Sequence, residues 1–250
     1  MATIIMIPAR YASSRLPGKP LMDIAGQPMV VRVAMAVHKA GADRIVIATD
    51  DERIRKAGED AGISVVMTRT NHPTGTDRLQ EAGDLLDLRP DDIIINVQGD
   101  EPLMPVENIL QVAALLKQHC GAQVATLYEP VTSMAMVDNH HAVKLVQRNN
   151  AEVMYFSRAG IPFDRDGSKR APNAVWKRHI GLYAYRKSAL DAFVRWPEGT
   201  LEQLECLEQL RFMENGAVIV AAAAAHPVPA GVDTQADLDT VRALFAKETP

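Results

Sequence analysis

The chain has 250 residues, 47% hydrophobic and 23% charged, with a formal charge of −4. That ordinary globular composition excludes collagen-like, disordered and disulfide-scaffold classes, and a chain of this length can bury most of its unfolded surface in one large domain. The mild negative charge argues against non-specific binding to nucleic acid or anionic lipid, which needs an excess of Lys and Arg.

In chain order, short β-branched runs alternate with segments of helical period. Residues 4–7, 44–49, 65–68, 93–97 and 124–128 read as strands. Segments 28–40, 51–61, 76–86 and 106–119 carry apolar residues at three- and four-residue spacing and open near Pro or Asp, as helices do. The run Ile93-Ile94-Ile95-Asn96-Val97 is almost continuously apolar, the pattern of a parallel strand covered on both faces. The predicted fold is α/β, a Rossmann-like doubly wound, mostly parallel sheet.

From about residue 138 the rhythm breaks into extended pieces at 143–146, 153–157 and 179–185, and helical patterns resume at 187–194 and 201–214. About 138–200 is expected to be a smaller, strand-rich insertion within a single domain of residues 1–250. Six of the twelve aromatics, Tyr155, Phe156, Phe163, Trp176, Tyr183 and Tyr185, fall between residues 155 and 185. They fit either a second small core or a homodimer face, where such residues are enriched. Val218-Ile219-Val220 and the alanines after it read as the end of a crowded strand, and 237–247 as a closing amphipathic helix.

Cys120 and Cys206 stand far apart, and no Asn-x-Ser/Thr acceptor occurs. Both facts fit a reducing, cytoplasmic setting. The opening apolar run reaches Pro8 and Arg10 too soon for a signal peptide, and no run approaches the roughly 20 apolar residues of a spanning helix, so no membrane insertion is expected.

Ligands of open α/β sheets bind beyond the carboxyl ends of the strands. The loop after the first strand, residues 8–20, holds Arg10, Arg15 and Lys19 with Ser13 and Ser14. It is not a Walker A loop, because Ser13 replaces the first glycine and Pro20 the magnesium-binding hydroxyl, nor is it GxGxxG. By composition alone it reads equally as a solvated surface segment. Gln98-Gly99-Asp100-Glu101-Pro102 follows another strand, and there Asp100 fits an Asp-initiated turn. In Gly231-Val232-Asp233-Thr234, Asp233 fits a helix cap. Taken together, two strand-end carboxylates facing a cationic loop offer oxygen ligands for Mg²⁺ opposite cations for phosphates, as phosphoryl transfer requires.

Several blocks in this order resemble the 3-deoxy-manno-octulosonate cytidylyltransferases over essentially the whole chain. They are residues 7–20, Ala48-Thr49-Asp50-Asp51, Gly75-Thr76-Asp77-Arg78, residues 96–102, Tyr155-Phe156-Ser157-Arg158, Arg178-His179-Ile180-Gly181, Leu207-Glu208-Gln209-Leu210-Arg211 and Gly231-Val232-Asp233-Thr234. The resemblance implies a fold of the nucleotide-diphospho-sugar transferase type, whose insertion supplies a dimer interface and the sugar side. It implies Mg²⁺-dependent transfer of CMP from CTP to the anomeric hydroxyl of Kdo (3-deoxy-D-manno-octulosonate), with release of pyrophosphate, for lipopolysaccharide biosynthesis. A homodimer is implied, with no nucleic acid partner.

Carried onto this sequence, the resemblance makes Arg10, Lys19, Asp100 and Asp233 the catalytic set, with Asp100 and Asp233 holding metal. Ala9, Arg10, Ser13, Lys19, Gly75 and Gln98 would line the nucleotide pocket, and Arg78, Gln98, Arg158, His179, Glu208 and Gln209 the sugar side. Read without the resemblance, His179 is a structural histidine on a strand, and Glu208 and Gln209 are exposed helix positions. No general base is assigned. The chain departs from the family at Asn139-His140-His141, where Asn-Pro-Asn is common, and at Thr74, where serine is usual. The paired histidines lack metal-site spacing and read as loop residues. An amino-sugar version of Kdo or a sialic acid is the alternative substrate, because the nucleotide half would be the same.

Overall fold

Successive residues of the first strand, β1 (Thr3–Ala9), enter different cores. Ile5 and Ile7 pack on one face and Ile4 and Met6 on the other, all fully buried. This follows from the two-residue period of a strand with helices on both sides. The computed structural model describes residues 1–12, 16–166 and 175–248, with side chains through 246.

The chain continues through a hairpin of β2 (Asp23–Ile24) and β3 (Gln27–Pro28), then α1 (Met29–Val37), β4 (Arg44–Thr49), α2 (Glu52–Asp60), β5 (Ser64–Met67), α3 (Gly75–Leu85), β6 (Ile93–Asn96), α4 (Val106–Gln118) and β7 (Val124–Pro130). A short α5 (Met134–Asp138) leads to β8 (Lys144–Gln147), β9 (Val153–Ser157) and the long β10 (Lys177–Arg186). Then come α6 (Lys187–Phe193), α7 (Thr200–Glu205), α8 (Gln209–Glu214), β11 (Ile219–Ala223) and α9 (Gln235–Glu248).

The main sheet runs β11-β7-β10-β6-β1-β4-β5. Pairings of β1 with β4 and β6, of β4 with β5 and of β7 with β11 are parallel, and β10 lies antiparallel between β6 and β7. One face is covered by α1 and α4 through Val30, Val33, Ile109 and Val112. The other is covered by α3, α6 and α8 through Leu79, Leu190, Phe193, Leu210 and Phe212. β8 pairs with the outer half of β10 and with β9, and Glu152 bridges to Val220 of β11. The inserted stretch is therefore an extension of the main sheet.

Two elements differ from expectation. The helical pattern 201–214 is broken at Cys206, which adopts the left-handed conformation with φ +51° and ends α7. Helical spacing persists through such a stop, and without a glycine the pattern does not announce it. The β2–β3 hairpin turns on Ala25 and Gly26, both at positive φ, a two-residue turn that matches strand twist.

Candidate active site

β1 has β4 on one side and β6 on the other, and the chain visits β4 and β5 before crossing back to β6. This is the topological switch point of the sheet, where the loops after β1 and β6 diverge to leave a crevice. They touch at Gly99, where an added Cβ would stand 3.0 Å from the Pro8 carbonyl oxygen.

The loop after β1 folds back on itself. Gly18, at φ +71°, donates its backbone N–H to the Tyr11 carbonyl at 3.2 Å, and a side chain there would collide with the Tyr11 ring. Tyr11 is covered by the Arg53 guanidinium, 3.3 Å from its ring centroid. Leu16 then packs with Ile24, Met29, Val232, Leu238 and Val241, a small core joining the β1 loop to the segment ahead of α9. Val232 also donates its backbone N–H to the Asp100 carbonyl at 2.9 Å.

These anchors bring distant residues together. Lys19 Nζ donates to Asp100 Oδ2 at 2.5 Å, to the Val232 carbonyl at 2.8 Å and to Asp233 Oδ1 at 3.2 Å. Asp233 does not cap α9 with its side chain. Asp237 Oδ2 accepts from the backbone of Thr234 at 2.8 Å and of Asp233 at 3.1 Å, and these bonds, with that of the Thr234 hydroxyl, hold the Asp237 carboxyl below its usual range. Further upstream, Asn108 exchanges two hydrogen bonds with the backbone of His226, at 2.8 and 3.0 Å, and Glu129 accepts from Val228 N at 2.7 Å.

Both acids thus share the positive charge of Lys19. No group of three or more His, Cys, Asp or Glu among the described residues is placed to hold a metal. Two carboxylates nevertheless suit Mg²⁺, which takes one or two from protein and the remaining oxygens from phosphates and water.

Two residues before Asp100, Gln98 lines a cleft of about 240 Å³. One wall is the start of α3, where Thr74 and Asp77 form a capping box, so the threonine that replaces serine keeps the needed hydroxyl. Thr76 Oγ1 donates to Glu208 Oε2 at 2.8 Å. A second wall is β10, whose register slips between Ile180 and Tyr183. Thr126 Oγ1 sits in that bulge, 3.0 and 2.9 Å from the carbonyls of Ile180 and Leu182, and Tyr183 and Tyr185 beyond it line the cleft.

The third wall is the elbow Cys206–Gln209, held by the end of β9. Arg158 Nε donates to the Glu205 carbonyl at 2.6 Å, and its two terminal nitrogens to those of His140 and Cys206 at 3.2 Å. The Glu205 carboxylate accepts from Ser157 Oγ at 2.5 Å and Arg158 N at 2.9 Å. Buried Lys144 donates to the carbonyls of Arg158 at 2.5 Å and Asn139 at 2.9 Å, and burial lowers its pKa.

The structure gathers Lys19, Asp100 and Asp233 in one cluster, and Gly75, Gln98, Glu208 and Gln209 on one cleft. Ala9 ends β1 and Arg10 follows it, partly buried; Ser13 lies outside the described residues. Three residues expected on the sugar side are placed elsewhere. Arg78 is fully buried and donates to Thr68 Oγ1 at 2.6 Å and Asp50 Oδ2 at 3.0 Å, tying α3 to the ends of β4 and β5. Arg158 serves backbone carbonyls. His179 lies behind the cleft, its Nε2 3.0 Å from Thr126 Oγ1 and its ring between Phe156 and Tyr183, and burial, with Arg178 adding, pushes its pKa down to about 3. The neighbouring His140 and His141 are exposed turn residues.

Sequence reasoning missed Asn96, Tyr185 and Glu101. A polar residue ending an apolar central strand marked Asn96. Glu101 is pushed up to about 7, first by burial and then by the adjacent Asp100.

The model of the cytidylyltransferase family matches residues 4–219. The 3-deoxy-manno-octulosonate cytidylyltransferase of Alcanivorax borkumensis is 51% identical over 97% of this chain and 98% of its own length. That of Hahella chejuensis is 50% identical over 99% of each. This chain is a member of the 3-deoxy-manno-octulosonate cytidylyltransferase family. A solved structure of CMP:2-keto-3-deoxy-manno-octonic acid synthetase complexed with CTP matches with a TM-score of 0.91 at 40% identity, over 99% of this chain and 100% of that one. A cytidylyltransferase from Leptospira borgpetersenii shares the fold, with a TM-score of 0.65 at 16% identity over 99% of this chain and 87% of that one. No helix among the described residues of this family member is long and apolar enough to cross a membrane.

Proposed function

We propose that this cytidylyltransferase moves CMP from CTP to the anomeric hydroxyl of Kdo, giving CMP-Kdo and pyrophosphate. The observation that carries the reading is the convergence of Asp100 and Asp233 on a shared cation, Lys19, at the switch point of the sheet. The names of the relatives support the substrate.

In this reaction the anomeric oxygen bonds to the α-phosphorus while the bond from that phosphorus to the β-phosphate bridging oxygen breaks in line. The hydroxyl proton leaves to water. Charge gathers on phosphate oxygens, so cations fixed beforehand stabilise the transition state without reorganising. Arg10 and Lys19 take that role. Ala9, Ser13, Gly75 and Gln98 border the nucleotide, and Glu208 and Gln209, with Gln98, face the sugar acid. Mg²⁺, when held by Asp100 and Asp233, supplies Lewis-acid stabilisation of the α-phosphate oxygens and lowers the pKa of the attacking hydroxyl.

The product would serve lipopolysaccharide assembly from the cytoplasm. A homodimer is proposed through the inserted stretch 138–200 and its surroundings, supported by the exposed apolar side chains of Met154, Phe163 and Leu204. Sedimentation at micromolar concentration tests it, and a monomer overturns it. Incubation with CTP, Mg²⁺ and Kdo is expected to release pyrophosphate. Release only with a sialic acid or the amino analogue of Kdo overturns the substrate, and no release with any of them overturns the activity.

A further inference from the structure

Asp233 stands ten residues beyond β11, at the end of a stretch that forms neither helix nor strand and is exposed at most positions from 223 to 230. Left loose, such a stretch would have to be ordered each time its carboxylate met a ligand, at a cost in affinity. Pairing with β7 gives out at Ala224, whose backbone N–H donates to the Tyr128 carbonyl at 2.8 Å. From there two carboxamides of α4 take over. Gln111 Nε2 donates to the Ala223 carbonyl at 2.7 Å, and its Oε1 accepts from Ala225 N at 2.9 Å. Asn108 Nδ2 donates to the His226 carbonyl at 2.8 Å, and its Oδ1 accepts from His226 N at 3.0 Å.

Positions 108 and 111 share one face of the helix, and each carboxamide satisfies one backbone N–H and one carbonyl, as a neighbouring strand would. Asn108 is fully buried in a helix whose other buried residues are all apolar, Ile109, Val112, Ala113, Leu115 and Leu116. A polar side chain at such a place is costly unless its bonds are made, and the His226 backbone makes them. Beyond this clamp, Pro227 and Pro229 restrict the backbone on either side of Val228, whose N–H goes to Glu129 Oε1 at 2.7 Å. Val232 N–H then goes to the Asp100 carbonyl at 2.9 Å. The position set at 223–226 is thus carried along a restrained chain to Asp233.

We propose that Asn108 and Gln111 are positioning residues for the metal site, clamping the strap 223–233 so that Asp233 stands beside Asp100 before Mg²⁺ and CTP arrive. The inference rests on the reading of Asp233 as a metal-holding acid. It extends that reading to two side chains of α4 that act only through the backbone of 223–226.

The test measures CTP binding by calorimetry with no sugar acid present, once with Mg²⁺ and once with a chelator, so that the ratio of the two affinities reports the metal site. Asn108→Leu and Gln111→Ala combined should cut that ratio by about 10-fold, the scale of groups that orient metal ligands, while metal-free CTP affinity stays within about twofold. Asp233→Asn should cut the ratio at least as far. Adding the two α4 changes to Asp233→Asn should lower it by no more than about twofold further, because residues that act through Asp233 have nothing left to position. A merely structural role predicts losses that multiply in the combined variant, and that outcome overturns the proposal. So does a ratio within about twofold of wild type when both α4 side chains are changed. If Asn108→Leu does not fold, Gln111→Ala carries the same comparison, at a partly exposed helix position where alanine favours the helix. A ratio that Asp233→Asn leaves at the wild-type value defeats the metal reading of Asp233 itself, a result distinct from a metal effect that needs Asp233 and ignores α4.

Discussion

Glu202 and Arg211 close a bidentate ion pair across the α7–α8 elbow, with Arg211 Nε 2.7 Å from Glu202 Oε2 and Nη2 2.6 Å from Oε1. Each of these helices has six residues, too short to persist without tertiary support. The pair spans the left-handed turn at Cys206 and, with both side chains less than a tenth exposed, fixes the angle at which Glu208 and Gln209 meet the cleft. Arg211→Met would strand a buried carboxylate and should cost about 3–5 kcal/mol in urea unfolding, whereas Glu202→Leu together with Arg211→Met should recover most of the loss. A single-variant cost below about 1 kcal/mol would show that the pair does not hold the elbow.

Lys19 touches both acids proposed to hold metal, so its removal takes a shared cation from them and from the phosphates. Lys19→Met and Asp100→Asn should each lower kcat by about 10²- to 10³-fold with the fold intact by circular dichroism. A loss under tenfold in either variant removes that residue from the catalytic set.

Arg158 was expected on the sugar side, and the structure gives it a different route to the same pocket. Its guanidinium holds the carbonyls of Glu205 and Cys206, the last residues before Leu207-Glu208-Gln209. Arg158→Ala should therefore raise KM for Kdo by about 10-fold or more while lowering stability by about 1–3 kcal/mol, because the partly buried Glu205 carbonyl and the carbonyls of His140 and Cys206 lose a charged donor. A direct carboxylate contact predicts weakened Kdo binding with unchanged stability, and a thermal unfolding midpoint equal to wild type would favour it.

The alternating strands and helices, the switch point and the loops beyond it were legible in the sequence because a two-sided sheet writes its period into runs such as residues 93–97. Asp100 was legible as a strand-end acid, four residues after β6, whereas Asp233, read in the same way, stands ten residues beyond β11 in the segment ahead of α9. Their distance from Lys19 was not, because it depends on the small core of Leu16, Ile24 and Val232, residues scattered through the chain with no shared period. Arg78 and His179 misled for a related reason: a residue type suited to a polar ligand serves equally well to satisfy buried neighbours. Asp50 and Thr68 claim Arg78, and Thr126 claims His179. The break at Cys206 left no trace, since the residues on either side of it keep helical spacing.

His179 makes that structural role measurable through pH. Burial, with Arg178 adding, depresses its pKa from 6.5 to about 3, so the unfolded chain takes up a proton below 6.5 that the native fold refuses until about pH 3. Within this window the unfolded state binds more protons, and native stability must fall as pH falls, by about 1.4 kcal/mol per pH unit from this group alone. His179→Gln keeps a partner for Thr126 and cannot titrate, so it should lack this contribution. Urea unfolding at pH 6.5 and pH 5 should show the wild-type protein losing about 2 kcal/mol more than the variant over that interval. Equal losses would mean that the imidazole is protonated inside the fold, which would return it to the candidates for binding the acid group of the sugar.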